Sequence, residues 1–121
     1  MLFVRFDRGT PLRRNRFGIP EPVPDRASLI PARLFDVVLL PLVAVDAHGW
    51  RLGSGAGYYD RYFKHLRSGR RWRKPRLIGV GYDFQRVPRL DAAPWDVPLD
   101  AVITDRDCYP SDTPPDPRAT T

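Results

Sequence analysis

Arg51-Leu52-Gly53-Ser54-Gly55-Ala56-Gly57-Tyr58-Tyr59-Asp60 is the stretch around which the chain organises itself. Glycines alternate with small residues, and two aromatics and a carboxylate follow. Upstream lies the apolar run Val37 to Val45; downstream lies a helix-like pattern, Tyr59 to Leu66. A strand, a small-residue loop and a helix start, in that order, make a phosphate site. With side chains absent, an anion reaches backbone N–H groups, and the helix N-terminus adds a partial positive charge. Asp60 then stands where a carboxylate can hold a divalent cation beside that phosphate. Each feature also has a plainer reading. A glycine-rich turn alone is often only a turn, and an acidic residue in a first helical turn complements the dipole by itself.

Working outward, Asp36-Val37-Val38-Leu39-Leu40-Pro41 is a continuous β-branched and apolar run, the pattern of a fully buried strand. Val43 to Asp46 continues it, and Asp46-Ala47-His48-Gly49 forms a turn. A helix is expected from about Tyr58 to Arg67. Arg76 to Tyr82 is a second buried strand, and Ala101-Val102-Ile103-Thr104 a third. Leu90 to Leu99 is a proline-broken loop. Near the N-terminus, Leu2 to Phe6 is rich in strand formers, and Asp7-Arg8-Gly9 reads as a turn. Phe17 to Pro22 is a proline-locked extended loop, and Asp25 caps a short helix through Arg33. From Tyr109 onward there is almost nothing to bury. The expected organisation is one α/β domain over residues 1–108 and a disordered tail over 109–121. Ligands in such sheets bind at the carboxyl ends of the strands.

The chain has 121 residues with 42% hydrophobic content, enough for one small core. Its net charge of +6 suits anionic partners: nucleotides, polyglutamylated cofactors or nucleic acid. A single cysteine, Cys108, excludes an internal disulfide and a cysteine-based metal cluster, and fits a reducing cytoplasm. No apolar run approaches the ~20 residues of a membrane-spanning helix. Charges interrupt the N-terminus at once, unlike a secretory signal.

Four blocks, in order, resemble the 5-formyltetrahydrofolate cyclo-ligase family, also called 5,10-methenyltetrahydrofolate synthetases. They are Phe17-Gly18-Ile19-x-Glu21-Pro22, then Leu40-Pro41-Leu42-Val43-Ala44-Val45-Asp46-x-x-Gly49, then Arg51 to Arg61, and last Trp95-Asp96-Val97-Pro98-Leu99-Asp100 with Val102-Ile103-Thr104. The resemblance implies a three-layer, mostly parallel sheet flanked by helices, Rossmann-like and of the NagB/RpiA/CoA-transferase kind. It implies conversion of 5-formyltetrahydrofolate, polyglutamylated forms included, to 5,10-methenyltetrahydrofolate with ATP and Mg2+. The formyl oxygen is phosphorylated, a neighbouring folate nitrogen closes the ring, and phosphate leaves. Position by position, Arg51, Leu52, Gly53, Ser54, Gly55, Ala56, Gly57, Tyr58 and Tyr59 match the ATP site, with Tyr59 also against the folate substrate. Asp60 and Asp96 match the magnesium positions. No catalytic residue is assigned.

The family also carries an N-terminal segment with a Lys-x-x-x-Arg element for ATP phosphates. Nothing in this sequence matches it, so the resemblance implies an N-terminally truncated form of the fold. Ala56 stands where lysine or glycine is usual in the family. Two other readings remain open beside the enzyme: an incomplete fragment that retains part of an ATP site, and a nucleic-acid module using the basic stretch 61–76, which reads equally as a solvated helix end. A membrane is not expected as a partner, and the chain is expected as a monomer or weak homo-oligomer. Asp100 reads as structural, His48 and His65 as solvated, and Cys108 as an inert thiol.

Overall fold

The apolar run before the glycine loop forms a strand because its β-branched side chains suit a pleated backbone, and Pro41, which has no N–H, stands at its end. The computed structural model describes residues 3–52, 63, 75–91 and 97–111. These fall into two compact units, residues 1–34 and 35–121.

In the first unit, β1 (Leu12–Arg14) pairs antiparallel with β2 (Pro20–Pro22), Arg13 opposite Glu21. The expected extended loop at 17–22 is therefore half turn and half strand. Prolines are tolerated in β2 because the two-stranded ribbon leaves every strand an edge. The expected strand at Leu2–Phe6 reduces, over its described residues, to a single bridge, Val4 to Leu29. Its partner segment is one residue wide because 3-10 helices, Arg26–Ser28 and Ala32–Leu34, flank it. Asp25 caps the first of these, its carboxylate accepting from Ala27 N at 3.2 Å. The chain then turns extended at Leu29 before Pro31, so the expected single helix through Arg33 is two short ones.

The second unit is built on a four-stranded sheet in the order β3 (Val37–Pro41), β6 (Arg76–Val80), β7 (Ala101–Ile103), β8 (Cys108–Pro110). The first three strands run parallel and β8 antiparallel. A small ribbon, β4 (Ala44–Val45) with β5 (Arg51–Leu52), lies between β3 and β6 in sequence. The three expected strands are present, and their register places the carboxyl ends Pro41, Val80 and Ile103 in one row. Two expectations change. The strand at 37–41 is buried on one face only: Val38 and Leu40 are inside, whereas Leu39 is 62% exposed. Ordered structure also continues past 108, because Tyr109 and Pro110 find partners in Val102 and Ala101. The remaining tail residues, 112–121, lie outside the described residues.

The buried face is covered by loop side chains. A Cβ on Gly79 would come within 2.6 Å of Leu99 Cδ1 and 2.7 Å of Leu42 Cδ2, so glycine there lets the 42 and 99 segments lie against the sheet. Of the expected helix at 58–67, Phe63 is described: it is helical and 1% exposed. No helix among the described residues is long and apolar enough to cross a membrane.

Candidate functional site

The turn that leads into the glycine loop is held by one carboxylate. Asp46 is buried, and its Oδ1 accepts from His48 N at 3.0 Å and Trp50 N at 3.1 Å. Its Oδ2 accepts from Leu90 N at 3.0 Å, tying the turn to a distant loop. Burying a carboxylate is costly unless backbone donors replace its water, and here three do. Gly49 closes the turn with φ +85°, a left-handed conformation that side chains disfavour. It is also crowded: an added Cβ would meet the Leu99 carbonyl oxygen and lie 2.6 Å from Ser111 Oγ.

The same glycine anchors the loop on the far side. Leu99 N donates to the Gly49 carbonyl at 2.9 Å. Asp100 N donates to the Leu77 carbonyl at 2.8 Å, and Asp100 Oδ2 accepts from Leu77 N at 2.7 Å. Asp100 therefore has the structural role read from the sequence. In sequence Gly53 directly follows β5 and Asp96 directly precedes Val97, and the Gly49–Leu99 hydrogen bond joins described residues near each.

Arg51 and Leu52 form β5, and Arg51 Nη1 donates to the Pro41 carbonyl at 3.2 Å, at the carboxyl end of β3. Gly53, Ser54, Gly55, Ala56, Gly57, Tyr58, Tyr59, Asp60 and Asp96 lie outside the described residues, so the expected loop and metal ligands have no geometry here. The basic stretch 61–76 is described only at Phe63, Pro75 and Arg76. Among the described residues no group of three His, Cys, Asp or Glu is placed to hold a metal ion. Asp46 and Asp83 are engaged with backbone amides, hydroxyls or a guanidinium, and Asp100 with a backbone amide; they do not offer the open carboxylate pair that magnesium needs.

Several features of this edge were not legible in the sequence. Gln85 Oε1 accepts from Tyr82 N at 2.7 Å, and its Nε2 donates to the carbonyls of Leu42 at 2.9 Å and Val43 at 3.1 Å, pinning the β3–β4 connection. Asp83 accepts from Tyr109 Oη at 2.7 Å and Thr104 Oγ1 at 3.1 Å, with Arg86 Nη1 at 3.7 Å. These partners, Tyr109 first, hold its carboxyl below the usual carboxylate range, and the same hydrogen bond raises the Tyr109 phenol. The Arg86 guanidinium lies 3.5 Å over the Tyr109 ring. Beside it is a cavity of about 220 Å³, whose lining includes Val45, Asp46, Arg86, Val102, Tyr109 and Ser111. His48, read as solvated, is half-buried, and its Nδ1 is buried with no hydrogen-bond partner among the described residues. Cys108 is exposed and lies within β8 rather than after the last strand.

A mostly parallel sheet, with loops gathered at the carboxyl ends of its strands, defines an α/β protein of the kind that holds ligands at that edge. The chain belongs to the 5-formyltetrahydrofolate cyclo-ligase family, whose pattern it matches over residues 1–105. It is 40% identical over 101 residues to the 5-formyltetrahydrofolate cyclo-ligase of Haemophilus influenzae, a match covering 82% of this chain and 51% of that protein. The Escherichia coli K12 protein of the same name is 38% identical over 106 residues, covering 86% and 55%. The solution structure of Aquifex aeolicus 5,10-methenyltetrahydrofolate synthetase is 35% identical and superposes with a TM-score of 0.66, covering 86% of this chain and 48% of that one. The chain thus spans about half the length of the curated relatives it matches.

Proposed function

We propose that this chain serves the ATP-dependent closure of 5-formyltetrahydrofolate to 5,10-methenyltetrahydrofolate, and that it contributes the glycine-loop side of the ATP site. Three of its relatives carry the name of that reaction or of its product. The observation that carries the reading in this chain is the Leu99–Gly49 hydrogen bond. It ties the approach to Gly53 and the segment following Asp96 to one rigid turn. A site assembled from two distant loops needs such an anchor, because catalysis by alignment fails when groups shift by about an ångström.

In this reading Arg51 to Tyr59 cradle the nucleotide phosphates with backbone N–H groups, and Tyr59 packs against the folate. The γ-phosphoryl group passes from ATP to the formyl oxygen, and ADP leaves. The neighbouring folate nitrogen attacks the activated carbon, and phosphate departs with the former formyl oxygen. An amide oxygen is a poor leaving group and phosphate a good one, so the protein's task is positioning and charge neutralisation. Asp60 and Asp96 would hold Mg2+, which neutralises phosphate charge when bound. In the same reading the fold is of the Rossmann-like, NagB/RpiA/CoA-transferase class and the setting is cytoplasmic, with no role for nucleic acid or a membrane.

A second reading is favoured by coverage: a chain spanning about half of its relatives binds ATP without completing the reaction. The two separate in one assay. With 5-formyltetrahydrofolate, ATP and Mg2+, near-ultraviolet absorbance of the methenyl product rises under the first reading. A folded chain that binds ATP and gives no rise establishes the second.

A further inference from the structure

The reaction proposed above makes no use of the cavity of about 220 Å³ beside β8. Val45 and Val102, both buried, give it an apolar wall. Arg86 and Ser111 give it a polar one.

Two hydrogen-bond donors on the polar side are unmet. The backbone fixes Arg86: its N donates to the Asp83 carbonyl at 3.1 Å, and Val87 N donates to the Val45 carbonyl at 2.8 Å. Its guanidinium stands 3.5 Å over the Tyr109 ring. The carboxylate paired with it, Asp83 Oδ1, is 3.7 Å away, beyond hydrogen-bond distance. That oxygen already accepts from Tyr109 Oη at 2.7 Å and Thr104 Oγ1 at 3.1 Å. Among the described residues, no acceptor lies within hydrogen-bond distance of the Arg86 guanidinium or the Ser111 hydroxyl. Asp46 also lines the cavity, but three backbone amides offset its charge.

An arginine held in place with free N–H groups matches a carboxylate or a phosphate. A free phosphate would leave the Val45–Val102 wall without a partner, whereas an acid with an apolar body uses both sides. We propose that this cavity binds a small organic acid, its carboxylate on the Arg86 guanidinium and the Ser111 hydroxyl and its apolar body against Val45 and Val102.

Benzoate is the probe, titrated into the full chain without ATP and followed by amide NMR shifts and melting temperature. Saturable binding at about 1 mM or tighter is expected, with shifts centred on Val45, Val102 and Ser111 and a rise in melting temperature. Neutral benzamide and inorganic phosphate are each expected to bind at least about tenfold more weakly. Arg86→Gln is expected to weaken benzoate at least about tenfold and Ser111→Ala by less, with unchanged circular dichroism, since the Arg86 side chain is 41% exposed. The proposal is overturned by any of four results: no saturation, shifts centred elsewhere, benzamide or phosphate binding as tightly as benzoate, or a folded Arg86→Gln chain that binds benzoate like the wild type. Should Arg86→Gln not fold, the comparison of benzoate with benzamide on the wild-type chain decides alone.

Discussion

Two hairpin turns in this molecule are nearly the same object in different surroundings. In the first unit, Asn15 Oδ1 accepts from Phe17 N and Ile19 N at 2.8 and 3.1 Å, Asn15 N donates to Ile19 O at 2.9 Å, and Gly18 sits at φ +77°. In the second unit, Asp46 Oδ1 accepts from His48 N and Trp50 N at 3.0 and 3.1 Å, Asp46 N donates to Trp50 O at 3.1 Å, and Gly49 sits at φ +85°. A side-chain oxygen, two residues' spacing and a left-handed glycine make the turn in both. The difference is what surrounds it. Nothing lies within 4 Å of a Cβ built on Gly18, whereas one built on Gly49 meets Leu99 and Ser111. The first turn closes a ribbon. The second closes a ribbon and is also hydrogen-bonded to the segment at Leu99.

The glycines offer the sharpest way to break that contrast. Gly18→Ala carries only the left-handed strain, a loss of about 1–2 kcal/mol in unfolding free energy. Gly49→Ala adds a collision with backbone and is expected to lose more than about 3 kcal/mol. Denaturant titration of both variants checks this, and equal losses would mean the turn at 46–49 is not docked. The capping side chains come next. Asp46→Ala leaves three backbone donors without their acceptor inside the protein and is expected to cost about 3 kcal/mol. Asn15→Ala frees donors that water can reach, and about 0.5–1 kcal/mol is expected.

The smallest effect concerns β8, which borders the docked turn through Ser111. Asp83 has its folded pKa lowered, so its contribution is present above the ordinary carboxylate value of 3.8 and is lost as pH falls through the lower folded value. Tyr109 has its folded pKa raised above 10.0, so its contribution is present below pH 10 and is lost as pH rises through the higher folded value. Tyr109→Phe is therefore expected to lower the melting temperature modestly between pH 3.8 and 10.0, where the bond contributes, and to converge on the wild type at both extremes. A wild-type profile identical to the variant's would show that the Asp83–Tyr109 bond does not stabilise the fold.

The two turns also show what was legible in the sequence. Asp46-Ala47-His48-Gly49 follows a strong apolar strand and was read as a turn. Asn15-Arg16-Phe17-Gly18 has equivalent chemistry but stands before Pro20 and Pro22, which suggested an extended loop rather than strand β2. Strands β3, β6 and β7 were legible because β-branched runs leave few alternatives. Their one-sided burial was not, because apolar residues occupy both faces and only the neighbours decide which is covered. Strand β8 was hidden by its polar and proline content, which an edge strand tolerates. Gln85 and the Asp83–Thr104–Tyr109 group join residues 20 or more positions apart, or rest on backbone carbonyls, and leave no periodic signal. The structural reading of Asp100 has its physical reason in the bonds to Leu77, which no sequence pattern shows.

The central claim is that the loop entered from the docked turn binds ATP phosphates. Calorimetric titration of ATP with Mg2+ into the chain, beside Gly55→Val at matched melting temperature, tests it most directly. The account predicts saturable one-to-one binding that the substitution reduces at least about tenfold, because a side chain blocks anion approach to the backbone. Binding of equal strength in Gly55→Val, or no binding by the folded wild-type chain, would contradict it.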